Sequence, residues 1–286
     1  MMPNYYYGTS GNDTHNGNGA VDIMYGRAGN DTLRGYGGND ILYGEDGDDT
    51  LQGGDGQDTL YGGNGNDPYL RGGGGNDWIY GEDGNDSLIG DDGNDYLSGG
   101  AGADSLQGGN GSDVAYGGTG DDYLRGGSAD DWLYGEAGND ELIGDNNNDW
   151  LFGGDGADIL RGGNGNDRLI GGAGTDAIYT GGNDSSADHI YFEMGDSLLG
   201  DVVYDFYAND TIYIDSRMSY TITDSIPNDG YAVITLGGGQ GEISVYGPGA
   251  NALSFGVTLY VAGSADDPYN THGGGPNGDG TDYGHG

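Results

Sequence analysis

The sequence predicts an all-β fold: a stack of short β-coils, two nine-residue units to a coil, followed by a smaller C-terminal β capping module. Three observations carry this. The phrase G-x-x-G-x-D-x-U-x, with U apolar, runs almost unbroken from Gly8 to Tyr179. The 286 residues include 68 glycines and only 33 % apolar residues, too few to build an ordinary hydrophobic globule. Near Gly182 glycine thins out and alternating, strand-like segments take over.

Residues 1–7 are a short lead-in. Met1-Met2-Pro3-Asn4-Tyr5-Tyr6-Tyr7 has neither the basic region nor the apolar core of a secretory signal peptide, so export is expected to use another route. With so short a lead-in, no enzyme domain is expected upstream of the repeats. The formal charge of -41 opposes compaction, and glycine loses more backbone entropy on ordering than any other residue. Bound cations are the simplest remedy. There is no cysteine, which excludes disulfides and thiolate metal sites, and seven basic residues against 48 acidic ones argue against nucleic acid or anionic membrane as partners. No apolar run approaches the roughly 20 residues that span a bilayer.

The repeats occupy residues 8–180. Nineteen units begin at Gly8 and end with the one at Gly171, and every unit has aspartate at its sixth position. These are Asp13, Asp22, Asp31, Asp40, Asp49, Asp58, Asp67, Asp77, Asp86, Asp95, Asp104, Asp113, Asp122, Asp131, Asp140, Asp149, Asp158, Asp167 and Asp176. Glycines at the first and fourth positions are expected to permit positive φ and to turn carbonyls toward a common centre, beside a hard carboxylate oxygen at fixed offset. That combination suits Ca²⁺, whose six to eight oxygen ligands exceed what one turn offers, so neighbouring coils must share ions. Positions seven to nine form a minimal strand with only the eighth residue inward. Ala20, Ala129 and Asn147 replace the fourth glycine, His15 and Ala115 replace the large apolar residue, and Pro68 marks an inserted residue that reads as a bulge.

Nonapeptides of this form are a known signature of calcium-binding parallel β structure. On these units the chain resembles the RTX, or hemolysin-type calcium-binding, family. The resemblance implies a right-handed parallel β-roll with several Ca²⁺ ions threaded along both edges, and export by type I secretion through an uncleaved C-terminal signal. The ending Tyr283-Gly284-His285-Gly286 departs from the usual end of such a signal. A disordered Gly/Asp tract is the competing reading, but such tracts do not keep an apolar residue two places after nearly every aspartate.

Sorting units by parity separates two outward faces. One carries Tyr25, Tyr43, Tyr61, Trp78, Tyr80, Tyr96, Tyr116, Trp132, Tyr134, Trp150 and Phe152, including all three tryptophans. The other is mixed and holds Arg34, Arg71, Arg125 and Arg161. The aromatic strip extends roughly 35 Å at the usual strand spacing, and it reads either as a partner-binding surface or as rings that stack along the ladder and favour strands.

Residues 181–262 form the capping module, with strands expected at His189–Phe192, Val202–Phe206, Thr211–Ile214, Tyr220–Thr223, Tyr231–Leu236, Glu242–Tyr246 and Leu253–Val261. The run Gly200 to Asp215 is similar to segments that close RTX rolls in secreted bacterial proteases. Residues 263–286 form a Gly/Asp-rich tail, expected to be flexible or to dock a partner. No catalytic residue is indicated: the four histidines are scattered, and neither H-E-x-x-H nor G-x-S-x-G occurs. The expected function is a secreted, extracellular calcium-binding structural protein that self-assembles as a homo-oligomer, filament or matrix, not an enzyme. The alternative is a calcium-dependent module that binds extracellular polysaccharide.

Overall fold

The computed structural model describes residues 2–181, 186–192, 199–206, 210–215, 220–223, 231–236, 241–246 and 256–260. The tail at 263–286 lies outside the described residues, as do the outer parts of the strand expected at 253–261.

Alternate units fall on opposite sides of one stack. Their strands form two sheets, of 13 and 14 described strands, and strands from odd and even units never share a sheet. Register is kept coil after coil, with Tyr25 beside Tyr43 and Tyr43 beside Tyr61 on one sheet, and Leu33 beside Leu51 on the other. Strands are longer than the three residues expected. Thr32–Gly37 and Trp132–Ala137 each continue from the seventh position through the first three positions of the following unit. Main-chain pairing persists there, with Arg27 opposite Glu45 and Ala28 opposite Asp46, so neighbouring coils extend the strand beyond its side-chain pattern.

Within the repeats the eighth residues form the core column, which Phe192, Val203, Phe206, Ile212 and Ile214 continue beyond them. Met24, Leu33, Leu42 and their successors through Leu169 and Ile178 are almost wholly buried in one column between the sheets. Each such side chain contributes about 1.5–3 kcal/mol by leaving water. At the open first coil the column ends in His15, whose ring stacks on Tyr6 at 3.8 Å.

Positive φ falls at the second and fourth positions, which corrects the expectation for the first. Gly56, a fourth-position residue, has φ 150° and its missing β-carbon would stand 1.6 Å from the Gly38 carbonyl oxygen. First-position Gly35 is required by space instead: a β-carbon there would lie 2.1 Å from a carboxylate oxygen of Asp40 and 2.7 Å from the Gly53 carbonyl oxygen.

Pro68 does not make a bulge. Thr50 pairs with Tyr69 and Leu51 with Leu70 without a register shift, because the extra residue sits in the turn ahead of the strand. The segments His189–Phe192 and Thr211–Asp215 extend one sheet in parallel, and Leu199–Tyr204 extends the other. Tyr220–Thr223, Tyr231–Leu236 and Gly241–Tyr246 then add an antiparallel ribbon, so the second sheet ends in a different pairing mode from the one that built it.

Two variants distinguish column from turn. Leu124→Ala should cost about 2–5 kcal/mol, whereas deletion of Pro68 should leave thermal stability in calcium unchanged or raised, both read as melting temperatures by circular dichroism.

Candidate metal centres

Each repeat aspartate sits at the mouth of a turn, between the glycine-rich half of its unit and the strand that follows. One carboxylate oxygen clamps coils together. Oδ1 of Asp49 accepts the main-chain N–H of Asp31 at 2.6 Å, Oδ1 of Asp67 accepts that of Asp49 at 2.7 Å, and the pattern continues to Asp149 and Asp167 at 2.9 Å. The Asp carbonyl completes the clamp, as Asp31 O receives the N–H of Thr50 at 2.9 Å. Fifth-position side chains add an outer row, where Oδ1 of Asn76 accepts the Asn94 N–H at 3.0 Å.

The second carboxylate oxygen has a different fate. From Asp31 to Asp158, every repeat aspartate buries Oδ2 without a hydrogen-bond partner. Such an orphaned anionic atom is costly. Burial pushes the carboxyls of Asp40, Asp95 and Asp158 up to about 7, that of Asp113 to about 8 and that of Asp149 to about 9, despite the main-chain hydrogen bond each accepts. Adjacent carboxylates add repulsion: two unit charges 4 Å apart interact by about 4 kcal/mol even at an effective dielectric of 20.

These residues fit Ca²⁺. The orphaned atoms are hard, anionic oxygens set in turns of main-chain carbonyls, the ligand type that this ion prefers. No group of three His, Cys, Asp or Glu side chains converges among the described residues, so the aspartates would contribute singly beside carbonyls. A bound calcium ion supplies the positive charge these rows lack. The aspartates would supply one oxygen toward it, and they hold the coils in register with the other.

Not all nineteen expected ligands are alike. In Asp13, Oδ2 accepts from Thr9 N at 2.6 Å and Thr9 Oγ1 at 2.9 Å, and in Asp22 Oδ2 accepts from Asn18 N at 2.9 Å. Both lie at the open end of the stack. Three further aspartates join the row. Oδ1 of Asp188, Asp201 and Asp210 receives the N–H of Asp167, Asp176 and Asp188 at 2.9, 2.9 and 3.1 Å. Nonapeptide spacing misses them, but the shared phrase Asp-x-U-Tyr does not: Asp188-His189-Ile190-Tyr191, Asp201-Val202-Val203-Tyr204 and Asp210-Thr211-Ile212-Tyr213.

The aromatic face is a single ladder. Tyr25, Tyr43, Tyr61 and Tyr80 stack at 4.9–5.0 Å with ring planes within 3–7° of parallel, and Tyr116, Tyr134 and Phe152 do likewise at 4.7 Å. Within these two runs the ring planes of successive coils are close to parallel. Ser98 would interrupt the row, but Tyr96 leans across to lie 5.7 Å from Tyr80 and 5.6 Å from Tyr116. Because the rings cover one another's faces, they offer edges and hydroxyls outward. Of the seventh-position tryptophans, Trp78 is 38 % exposed, whereas Trp150 lies beneath the Arg168 guanidinium at 4.4 Å. On the opposite face Arg71 pairs with Asp91, Arg125 with Asp145 and Arg161 with Glu141.

A family model for the RTX calcium-binding nonapeptide repeat matches stretches that together cover residues 7–67 and 69–187. No curated protein matches the chain. Among solved structures, the extracellular lipase LipA from Serratia marcescens is similar at 20 % identity and a TM-score of 0.30, over 71 % of this chain and 40 % of that one. The chain thus spans two-fifths of the length of that lipase.

In metal-free protein the repeat aspartates from Asp31 to Asp158 have pKa values above those of an unfolded chain. Their contribution to stability is therefore fully present below about pH 4 and is lost as pH rises through the range of about 6 to 9 set by Asp140, Asp113 and Asp149. Metal-free protein should gain β structure on acidification, and calcium binding at neutral pH should release protons and weaken toward pH 5. Circular dichroism in chelator and calorimetry in buffers of differing ionisation enthalpy check both. Asp149→Asn, which keeps an oxygen for the Asp131 N–H, should lower calcium affinity while making the metal-free form easier to fold.

Proposed function

The chain belongs to the RTX calcium-binding nonapeptide-repeat family, and we propose that it is a secreted structural protein, ordered by calcium outside the cell and self-assembling into a surface layer, filament or matrix. The repeats bind several Ca²⁺ ions, and members of this family are typically extracellular proteins exported by type I secretion. The observation that carries the ordering step is the row of orphaned, buried aspartate oxygens from Asp31 to Asp158. With those charges uncompensated, compaction is opposed by burial and by the net charge of -41. Metal binding then coincides with folding, so a chain kept extended at low internal calcium would order on reaching millimolar calcium.

Assembly is supported by the flat aromatic face, long and straight enough to oppose another straight surface, and by the absence of a convergent catalytic constellation in the repeats. A polysaccharide-binding role is the second reading, favoured by the exposure of Trp78. The covered faces of the tyrosine row restrict sugar stacking to the tryptophans.

Calcium titration followed by circular dichroism, sedimentation velocity and electron microscopy tests the proposal. The expected result is a disordered chain in chelator and ordered fibres or sheets in calcium. A chain equally folded in chelator would refute calcium-driven ordering, and a monodisperse monomer in calcium would refute assembly. Glycan binding lost in Trp132→Ala with calcium-induced folding retained would select the second reading.

A further inference from the structure

Two short phrases recur at a spacing longer than nine residues. Trp78-Ile79-Tyr80-Gly81-Glu82 returns three coils later on the same sheet as Trp132-Leu133-Tyr134-Gly135-Glu136. On the opposite sheet Tyr69-Leu70-Arg71 returns after the same three coils as Tyr123-Leu124-Arg125. At about 4.8 Å per coil, both pairs of cassettes are roughly 14 Å apart. The two faces therefore carry one spacing.

The acidic member of each cassette is placed against backbone preference. Glu82 has φ 78° and Glu136 φ 74°, while the residues paired with them on neighbouring coils, Gly63 and Gly118, have φ 116° and 115°. Glycine is the residue that this conformation favours, so a retained side chain at a strained position points to a use for that side chain. Both glutamates are exposed, each two residues beyond a ladder tyrosine. Arg71 and Arg125 on the other face are 39 % and 45 % exposed at the side chain, and each gives Nε to its own Asp91 or Asp145. Beside Arg71 lies a groove of about 520 Å³, large enough for an indole, lined by glycines, by Gln52, Gln107 and Asn110 and by the carboxylates of Asp55, Asp91 and Asp92. The chain already contains the contact in question, with the Arg168 guanidinium over Trp150 at 4.4 Å.

We propose that the arginine face of one copy docks on the aromatic face of the next, Arg71 and Arg125 of the first seating on the Trp78–Glu82 and Trp132–Glu136 cassettes of the second. This rests on the assembly reading above and names its interface. Each guanidinium stacks on an indole and meets a glutamate, and the shared three-coil spacing fixes the register. The equal three-coil separation on the two faces lets both contacts form together. A face of about nine coils, each strand about 20 Å long, offers roughly 800 Å², the area one partner contributes to a standard stable interface. Unlike faces meet, so the contact does not close on itself and propagates into an open assembly.

The test uses two double variants of the full chain in calcium: Glu82→Gly with Glu136→Gly, and Arg71→Gln with Arg125→Gln. The glycine substitutions restore the residue of neighbouring coils, so calcium-induced folding is retained and is verified by circular dichroism. Each variant alone should associate at least about tenfold more weakly than the parent in sedimentation velocity. Mixed in equal amounts, the two should form 1:1 heterodimers, because each brings the face that the other lacks. If both variants assemble like the parent, this interface is wrong while the assembly reading stands. A parent that stays monomeric overturns both. Variants that fail alone and also fail to pair when mixed overturn the docking of unlike faces.

Discussion

Everything in this roll depends on the divided use of the sixth-position aspartate. One oxygen is spent on the neighbouring coil's main chain, as between Asp49 and Asp31, and the other is buried facing its own first glycine. The first contact sets the coil spacing, and the second creates a charge that the protein cannot neutralise alone. Stability and metal dependence thus share one side chain, and a residue that served only one purpose would uncouple them.

The glycines follow from the same constraint. Gly35 leaves room for the Asp40 carboxylate, and Gly56 lets the turn reverse against the coil before it. With two sharp turns per coil only the eighth residue remains to fill the interior, which explains why one leucine per unit suffices. It also explains why the interior is narrow enough that Ala115 can stand in the column without interrupting it. Side chains at positions seven and nine are released from packing duty, and the two faces could diverge in composition without cost to the core.

Legibility varied with how local the cause was. The repeat, its two-unit coil and the inward eighth residue could be read directly, because a strict period admits few geometries. Strand length could not: the extension across Arg27 and Ala28 depends on pairing with Glu45 and Asp46 in the next coil. The place of Pro68 was equally hidden, since a turn and a bulge both absorb one residue and only the register of Leu51 with Leu70 separates them. Asp188, Asp201 and Asp210 escaped the nine-residue count because Asp188 and Asp201 follow the aspartate before them by 12 and 13 residues, which puts all three out of phase with the repeat, although each opens the phrase Asp-x-U-Tyr.

By itself the sequence determined the calcium-binding repeat, the column of leucines and the unlike composition of the faces, since each follows from residue type at fixed spacing. Tertiary structure decided which carboxylate oxygen is committed to the main chain, which glycines are needed for space rather than for φ, and how the aromatic rings cover one another. Those outcomes arise between coils, where residues eighteen positions apart meet at hydrogen-bond and stacking distance. A periodic sequence specifies that such neighbours will meet, but the contact geometry exists only once they have.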